Sequence, residues 1–240
     1  MTDMKIGIIG AGGRMGQACI RQVTETGGCT VVAASDIADS PLIGSDAGKA
    51  AGADTLGVAI SDDAEAVISA SDAVIEFTLP EPTLDHVALT AGAGVAHIIG
   101  TTGMTADQET ALKAAGEKTV VMHAPNMSLA VNLLFALTKQ VAAALNDDFD
   151  IEVFEMHHKH KVDAPSGTAV GMGRAAAEGR GVNIDDVARW AQHGITGERK
   201  RGDIGFASLR GGNVVGDHTV TFAVEDERLE ISHKAQSRQI

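Results

Sequence analysis

Lys5-Ile6-Gly7-Ile8-Ile9-Gly10-Ala11-Gly12-Gly13-Arg14-Met15-Gly16 is the stretch whose reading decides the fold. Residues 5–9 form the short apolar run expected of a buried parallel strand. Glycines follow at once, and then a helical pattern with Met15, Cys19, Ile20 and Val23 on one side. Strand, glycine turn and helix in that order give the dinucleotide-binding fingerprint its meaning. The glycines permit a tight turn and let a pyrophosphate approach the backbone where a helix begins. The spacing departs from G-x-G-x-x-G, because Met15 holds the last glycine position and Gly16 comes one residue later.

Thr30 to Ala34 reads as the next strand, and Asp36 lies at its end, twenty residues past Gly16. A carboxylate there is placed to accept hydrogen bonds from an adenosine ribose, although strand ends also carry aspartates as plain turn residues. Ile37 follows where an arginine would be needed to pair with a 2′-phosphate, so NADH is favoured over NADPH, with Arg14 the alternative phosphate contact. Further strands are expected at 72–77, 95–99 and 119–122, alternating with helices at 82–91 and 106–115. Such alternation implies a parallel sheet with its ligands at the carboxyl ends of the strands. The loops at 78–80, 100–103 and 124–127 fall at those ends and are expected to line the nicotinamide end of the cofactor.

Ala124-Pro125-Asn126-Met127 reads as a linker. Beyond it Leu133, Leu134, Leu137, Val141 and Leu145 recur at helical spacing, with Ser128 placed as N-cap. Strands are expected at 151–156, 204–210, 214–224 and 229–233. Gly211-Gly212-Asn213 and Glu225-Asp226-Glu227 mark turns between the last three. The fold class is therefore α/β: an N-terminal Rossmann-type parallel-sheet domain plus a second α+β domain with a mostly antiparallel sheet.

The first strand of that second domain runs into Glu155-Met156-His157-His158-Lys159-His160-Lys161-Val162-Asp163-Ala164-Pro165-Ser166-Gly167-Thr168-Ala169. Three histidines and two lysines occupy consecutive positions, followed by a turn and a small-residue helix. Free amides at a helix start, with cations beside them, suit a carboxylate-bearing small molecule and offer proton donors. A solvated loop is the bland alternative. A zinc site is the other, but three histidines so close in sequence cannot easily complete a tetrahedron, and the lysines would repel the metal. No metal is expected. A rigid sheet would hold this loop toward the first domain, and domain clefts are where small-molecule sites concentrate.

With 240 residues, 44% apolar and 3% aromatic, the chain can bury a substantial core. Its formal charge of −13 argues against nucleic acid or an anionic membrane as partner. The basic run Arg199-Lys200-Arg201 is then read as surface rather than as a pocket. Two cysteines, Cys19 and Cys29, cannot build a disulfide framework, which fits a reducing cytoplasm. No run reaches membrane-spanning length, and the N-terminus enters a strand pattern too soon for a signal peptide.

Taken together, Gly10-Ala-Gly-Gly-Arg-Met-Gly16, Glu76-Phe-Thr, Ile99-Gly-Thr-Thr-Gly103, Asn126-Met-Ser128, the 157–169 loop, His193-Gly-Ile-Thr-Gly-Glu198 and Ser232-His-Lys-Ala235 resemble the 4-hydroxy-tetrahydrodipicolinate (dihydrodipicolinate) reductase family of the bacterial diaminopimelate and lysine pathway. The resemblance runs nearly end to end. It implies reduction of 4-hydroxy-tetrahydrodipicolinate by NAD(P)H to tetrahydrodipicolinate with loss of water. It assigns His157 as the acid/base group and Lys161 as the proton donor. His158 with the Gly167 and Thr168 amides would hold a substrate carboxylate. The cofactor would be held by Gly10, Ala11, Gly12, Gly13, Arg14, Met15, Asp36, Gly100, Thr101, Thr102, Ala124, Pro125, Asn126 and Met127. Members are homotetramers joined through the second-domain sheet. Residues 1–126 would then bind the dinucleotide and 127–234 the substrate and partner subunits, with 235–240 starting a segment that returns to the first domain. Two other readings compete: a reductase of a different carboxylated imine or aldehyde, and a non-catalytic dinucleotide sensor. A sensor has no need of Lys161 beside a carboxylate site.

Overall fold

The computed structural model describes residues 2–237. Two compact units divide between Ala124 and Pro125. The first contains β1 (Met4–Ile9), α1 (Arg14–Glu25), β2 (Cys29–Ser35), α2 (Ala47–Ala50), β3 (Ile60–Ser61), α3 (Ala64–Ala70), β4 (Ala73–Glu76), α4 (Pro80–Ala93), β5 (Ala96–Ile99), α5 (Ala106–Ala115) and β6 (Val121–His123). Its sheet runs β3-β2-β1-β4-β5-β6 with every pairing parallel. That is the doubly wound order, which reverses direction between β1 and β4.

The pleat explains why β1, past its exposed start at Met4 and Lys5, is apolar from Ile6 to Ile9. Ile6 and Ile8 pack with Ile20 and Val23 of α1 and with Val31, Ala34 and Ile60. Ile9, on the other side of the strand, packs with Val67 and Ile68 of α3 and with Val74 and Val95. A strand buried on both faces has no polar side to alternate. The 106–115 helix stands where it is expected, held by a capping box between Thr105 and Gln108. The helix expected at 82–91 is longer at both ends. Pro80 fits a first-turn position, and Gly94 ends the helix at φ 70°. α2, β3 and α3 were not expected at all. β3 has two residues and α3 seven, too few to show a period, and Asp63 starts α3 by accepting the Ala66 amide at 2.9 Å.

The second unit contains α6 (Leu129–Ala144), β7 (Asp150–His157), α7 (Gly167–Arg180), α8 (Ile184–Val187), β8 (Ala188–Arg189), β9 (Ile204–Arg210), β10 (Gly216–Ala223) and β11 (Arg228–Ala235). The sheet order is β11-β10-β7-β9-β8. Two of its three long pairings, β11–β10 and β10–β7, are antiparallel, while β9 joins β7 in parallel. The mostly antiparallel sheet thus has one difference from the simple series of hairpins suggested by the turns. β9 and β10 are not neighbours, because β7 lies between them. Their connection crosses the carboxyl end of β7, where the Gly211 amide donates to the His157 carbonyl at 2.9 Å and the Lys159 amide donates to Gly212 O at 3.3 Å. Of the expected return segment, Ala235 closes β11 and residues 238–240 lie outside the described residues.

One face of this sheet is covered. Ile151 and Val153 of β7, Ile204 and Phe206 of β9, and Val220 and Phe222 of β10 pack with Ala169, Met172, Ala176 and Ala177 of α7 and Leu134 and Ala142 of α6. The small residues of α7 let it lie close to the sheet. Following β7 along the same face, Ile151 and Val153 give way to Glu155 and His157, both buried. The core therefore ends in a polar cluster at the strand's carboxyl end.

Candidate active site

In the first unit the glycine loop is built for close approach. An added Cβ at Gly16 would lie 2.1 Å from Gly10 O, so this residue permits helix α1 to pack on the strand end. It performs the role of the third fingerprint glycine from one position later, which accounts for the shifted spacing. Gly12 faces Asp36: a Cβ there would stand 2.0 Å from the Asp36 carboxylate. The residues expected at the pyrophosphate and at the ribose are thus adjacent. Gly13 stands as N-cap of helix α1 with no side chain to offer, so the first-turn amides of Arg14, Met15 and Gly16 meet no side-chain competitor. Met15 points outward rather than into the core as its helical position suggested, and Gly16, Ile20 and Val23 form the buried side. Ile37 is exposed beside Asp36. These features fit a dinucleotide.

Thr101 is buried and accepts the Thr78 amide at 3.2 Å, while Gly100 donates its amide to Glu76 O at 2.8 Å; Thr102 is exposed. The 124–127 segment spans the division between the units. Ala124 is bonded to Ile99 O in the first unit, and Asn126 in the second donates to Thr168 Oγ1 at 3.2 Å. Asn126, assigned to cofactor, therefore touches Thr168, assigned to substrate.

In the second unit the catalytic candidates gather at the end of β7. His157 Nδ1 lies 2.6 Å from Glu155 Oε2. Arg210 grips the same carboxylate with both terminal nitrogens, at 2.9 and 2.8 Å, and the Ser166 amide donates to it at 3.2 Å. Arg210 also donates to Asp163 O, so the cationic loop is tied back to the strand. Burial alone raises the Glu155 pKa, but hydrogen bonds from Arg210, His157 and Ser208 outweigh it and bring it to about 2. An ionised carboxylate only accepts, so His157 carries a proton on Nδ1 and turns Nε2 to its other side. Lys161 Nζ pairs with Asp163 Oδ1 at 2.8 Å, and the His158 and His160 rings lie 6.2 Å apart. Gly167 and Thr168 open α7. Ser166 caps it by accepting the Ala169 amide at 3.2 Å, which leaves the Gly167 and Thr168 amides in the first turn.

Glu155, Arg210 and His218 escaped the sequence reading as functional residues. Their signal was period two. Glu155 shares its alternation with Ile151 and Val153, and His218 shares one with Val220 and Phe222, so both belong to a buried face. His218 Nε2 lies 3.0 Å from Ser166 Oγ, and its ring meets that of His157 edge-on at 5.0 Å. Burial and the neighbouring His157 push His218 down to about 4. The Arg199-Lys200-Arg201 run is held by acidic neighbours: Arg199 by Asp150 and Glu152, at 2.7 and 2.9 Å, and Arg201 by Asp148 at 2.8 Å. Among the described residues no three His, Cys, Asp or Glu side chains are grouped to hold a metal, and no helix is long and apolar enough to cross a membrane.

The depressed pKa values set an acid limit on stability. Below its ordinary 6.5, His218 takes up a proton in the unfolded chain that the native state refuses until about pH 4. From 4.5 down to about 2 the same holds for Glu155 and for Glu76, a second buried carboxylate, in the first unit. In each window the unfolded state binds more protons, so stability falls as pH falls. The melting temperature is expected to decline from pH 6.5 downward, with His218→Leu flattening the leg between 6.5 and 4. An unchanged melting temperature across that leg in the wild type would refute the neutral burial of His218.

Comparison with known proteins gives a consistent picture. Residues 4–127 match the family model described as dihydrodipicolinate reductase, N-terminus, and residues 130–240 match its C-terminus. A protein of Ruegeria pomeroyi named 4-hydroxy-tetrahydrodipicolinate reductase is 54% identical over 97% of this chain and 87% of its own length. One of the same name from Rhodopseudomonas palustris strain BisA53 is 51% identical over the whole chain and 88% of its own. The solved structure of a dipicolinate-bound dihydrodipicolinate reductase from Paenisporosarcina sp. TG-14 shares the fold, with a TM-score of 0.73, 24% identity, and coverage of 99% of this chain and 90% of that one.

Proposed function

Because the chain belongs to the dihydrodipicolinate reductase family, we propose that the loop following β7 is where it handles its substrate. The enzyme is an NAD(P)H-dependent oxidoreductase that reduces 4-hydroxy-tetrahydrodipicolinate to tetrahydrodipicolinate, with loss of water, in diaminopimelate and lysine biosynthesis. One observation carries the assignment of roles within it: Glu155, fixed by Arg210, orients His157 at the head of a loop that also holds Lys161 and leads into the first turn of α7.

The substrate is a dicarboxylate. In our reading the Gly167 and Thr168 amides, with the dipole of α7, take one carboxylate, and His158 lies beside it. The nicotinamide, when bound, supplies a hydride. Loss of the 4-hydroxyl with a proton of the neighbouring ring carbon, as water, leaves a conjugated imine; negative charge grows on it as hydride adds, and Lys161 donates the proton that quenches it. The Lys161–Asp163 pair is open to solvent on the Asp163 side and is weak enough to be exchanged for substrate contacts. His157, with its Nδ1 proton directed at Glu155, serves as the acid/base group through Nε2. Gly10, Ala11, Gly12, Gly13, Arg14 and Met15 would receive the pyrophosphate, and Asp36 the ribose. Gly100, Thr101, Thr102, Ala124, Pro125, Asn126 and Met127 would line the nicotinamide end.

NADH is the preferred coenzyme in this reading, since exposed Ile37 offers nothing to a 2′-phosphate. The test is a coupled assay in which the upstream synthase forms the unstable substrate from pyruvate and aspartate semialdehyde. A higher kcat/KM for NADH than for NADPH is expected; the reverse would refute the Asp36–Ile37 argument and leave the function standing. Homotetramer assembly through the second-unit sheet is supported by exposed Phe154 and Leu209 on its outer face, and a native mass other than four chains would contradict it. A cytoplasmic setting is supported by the biosynthetic role and the two free cysteines, and recovery of the native protein outside the cytoplasm would contradict it.

A further inference from the structure

Glu76 ends β4 with no solvent exposure, and the mechanism above does not use it. The strand before it, Ala73-Val74-Ile75, is what a central parallel strand should be. A charged carboxylate there is costly unless it is fully bonded. It is so bonded: His86 Nδ1 is 2.9 Å from Oε1, His97 Nε2 is 2.8 Å from Oε2, Thr83 Oγ1 is 3.0 Å from Oε1, and the Thr78 hydroxyl donates to Oε1. The network continues into the ligand end of the sheet. Thr83 Oγ1 is 3.1 Å from Thr101 Oγ1, which in turn accepts the Thr78 amide. Thr78 belongs to the loop after β4 and Thr101 to the loop after β5, and β4 and β5 are neighbours. Thr83 is fully buried between them.

We propose that Glu76 is a positioning residue for the nicotinamide end of the cofactor site, acting through Thr78, Thr83 and Thr101 to fix the β4 and β5 loops against each other. Two histidines fill only part of what an ionised carboxylate can accept, and the remaining partners, Thr78 and Thr83, are the ones that lead to the β5 loop. Here the hydroxyl chain carries its anchoring to the one residue of the 100–102 loop that is buried. The inference rests on the reading that this loop contacts the nicotinamide. Loops held at one separation bind a planar group without first ordering themselves, and the gain is confined to that group.

ADP-ribose lacks the nicotinamide and so separates the two ends of the site. Binding of NADH and of ADP-ribose would be measured for the wild type, Glu76→Gln, Thr83→Val and Thr83→Ser. Thr83→Val keeps the shape and removes the hydroxyl, and Thr83→Ser restores it. The expected result is NADH affinity lowered about tenfold in Glu76→Gln and Thr83→Val, near wild type in Thr83→Ser, and ADP-ribose affinity unchanged throughout. If Glu76→Gln does not fold, the Thr83 pair decides. Equal loss of both ligands would make the network purely structural and overturn the proposal, as would no loss of either. Wild type binding NADH no better than ADP-ribose would instead remove the reading of the 100–102 loop on which the proposal stands.

Discussion

Lys161→Ala is expected to lower kcat by about 10²- to 10⁴-fold while leaving NADH affinity unchanged. The substitution removes an ammonium and little else. Lys161 is held in its turn by its own backbone, whose amide donates to the His158 carbonyl at 3.1 Å, and its side chain pairs with exposed Asp163. The loop should therefore keep its course, and the first unit, which carries the glycine loop, is untouched. Lys161→Arg sharpens the test. Arginine keeps the positive charge and hence much of the attraction for a dicarboxylate, but a guanidinium does not give up its proton. KM close to wild type with kcat still lost would mark Lys161 as proton donor. Equal rises in KM for both variants, with kcat retained, would reduce it to a carboxylate contact.

Glu155→Gln is expected to cost about 100-fold or more in kcat, with a lowered melting temperature. Two effects combine. The amide can present an N–H to His157 Nδ1, which then must accept, and the ring proton moves to Nε2; the nitrogen that faces the substrate is then a donor and can no longer accept a proton. Arg210 meanwhile loses the anion that it grips with two nitrogens, and breaking such a pair costs about 3 kcal/mol. Glu155→Asp separates the two effects. It keeps the charge for Arg210 but shortens the reach to His157, so the melting temperature should recover more than kcat. Full activity in folded Glu155→Gln would show that His157 needs no fixed tautomer.

The first unit was legible because its signals are local. A glycine loop between an apolar strand and a helix and Asp36 at the next strand end each act within a few residues of themselves, as does the Ser128 cap in the second unit. What escaped were elements too short to show a period, α2, β3 and α3, and the insertion of β7 between β9 and β10. A turn sequence tells where the chain reverses but not which strand it passes over. The third glycine was visible yet misplaced against the motif; only the lack of room for a Cβ between Gly16 and Gly10 O indicates that it serves the same packing. In the site, the histidines, the lysine and the Pro-Ser-Gly-Thr turn could be read as a group because they are contiguous. Arg210 lies 55 residues from Glu155 in sequence, and nothing local pairs them. Glu76 and Glu155 could be read only as members of the strands at 72–77 and 151–156, since burying a charge is normally unfavourable and only the assembled network makes it tolerable.

The most direct test of the central claim, that the loop after β7 carries out the reduction, is the coupled assay run on wild type and Lys161→Ala together, with NADH binding measured on the same samples. The account predicts that wild type oxidises NADH only when synthase, pyruvate and aspartate semialdehyde are all present, and that Lys161→Ala binds NADH equally well but turns over at most about one hundredth as fast. Equal turnover by both proteins would place the chemistry elsewhere in the chain; NADH binding without turnover in either would contradict the catalytic account altogether.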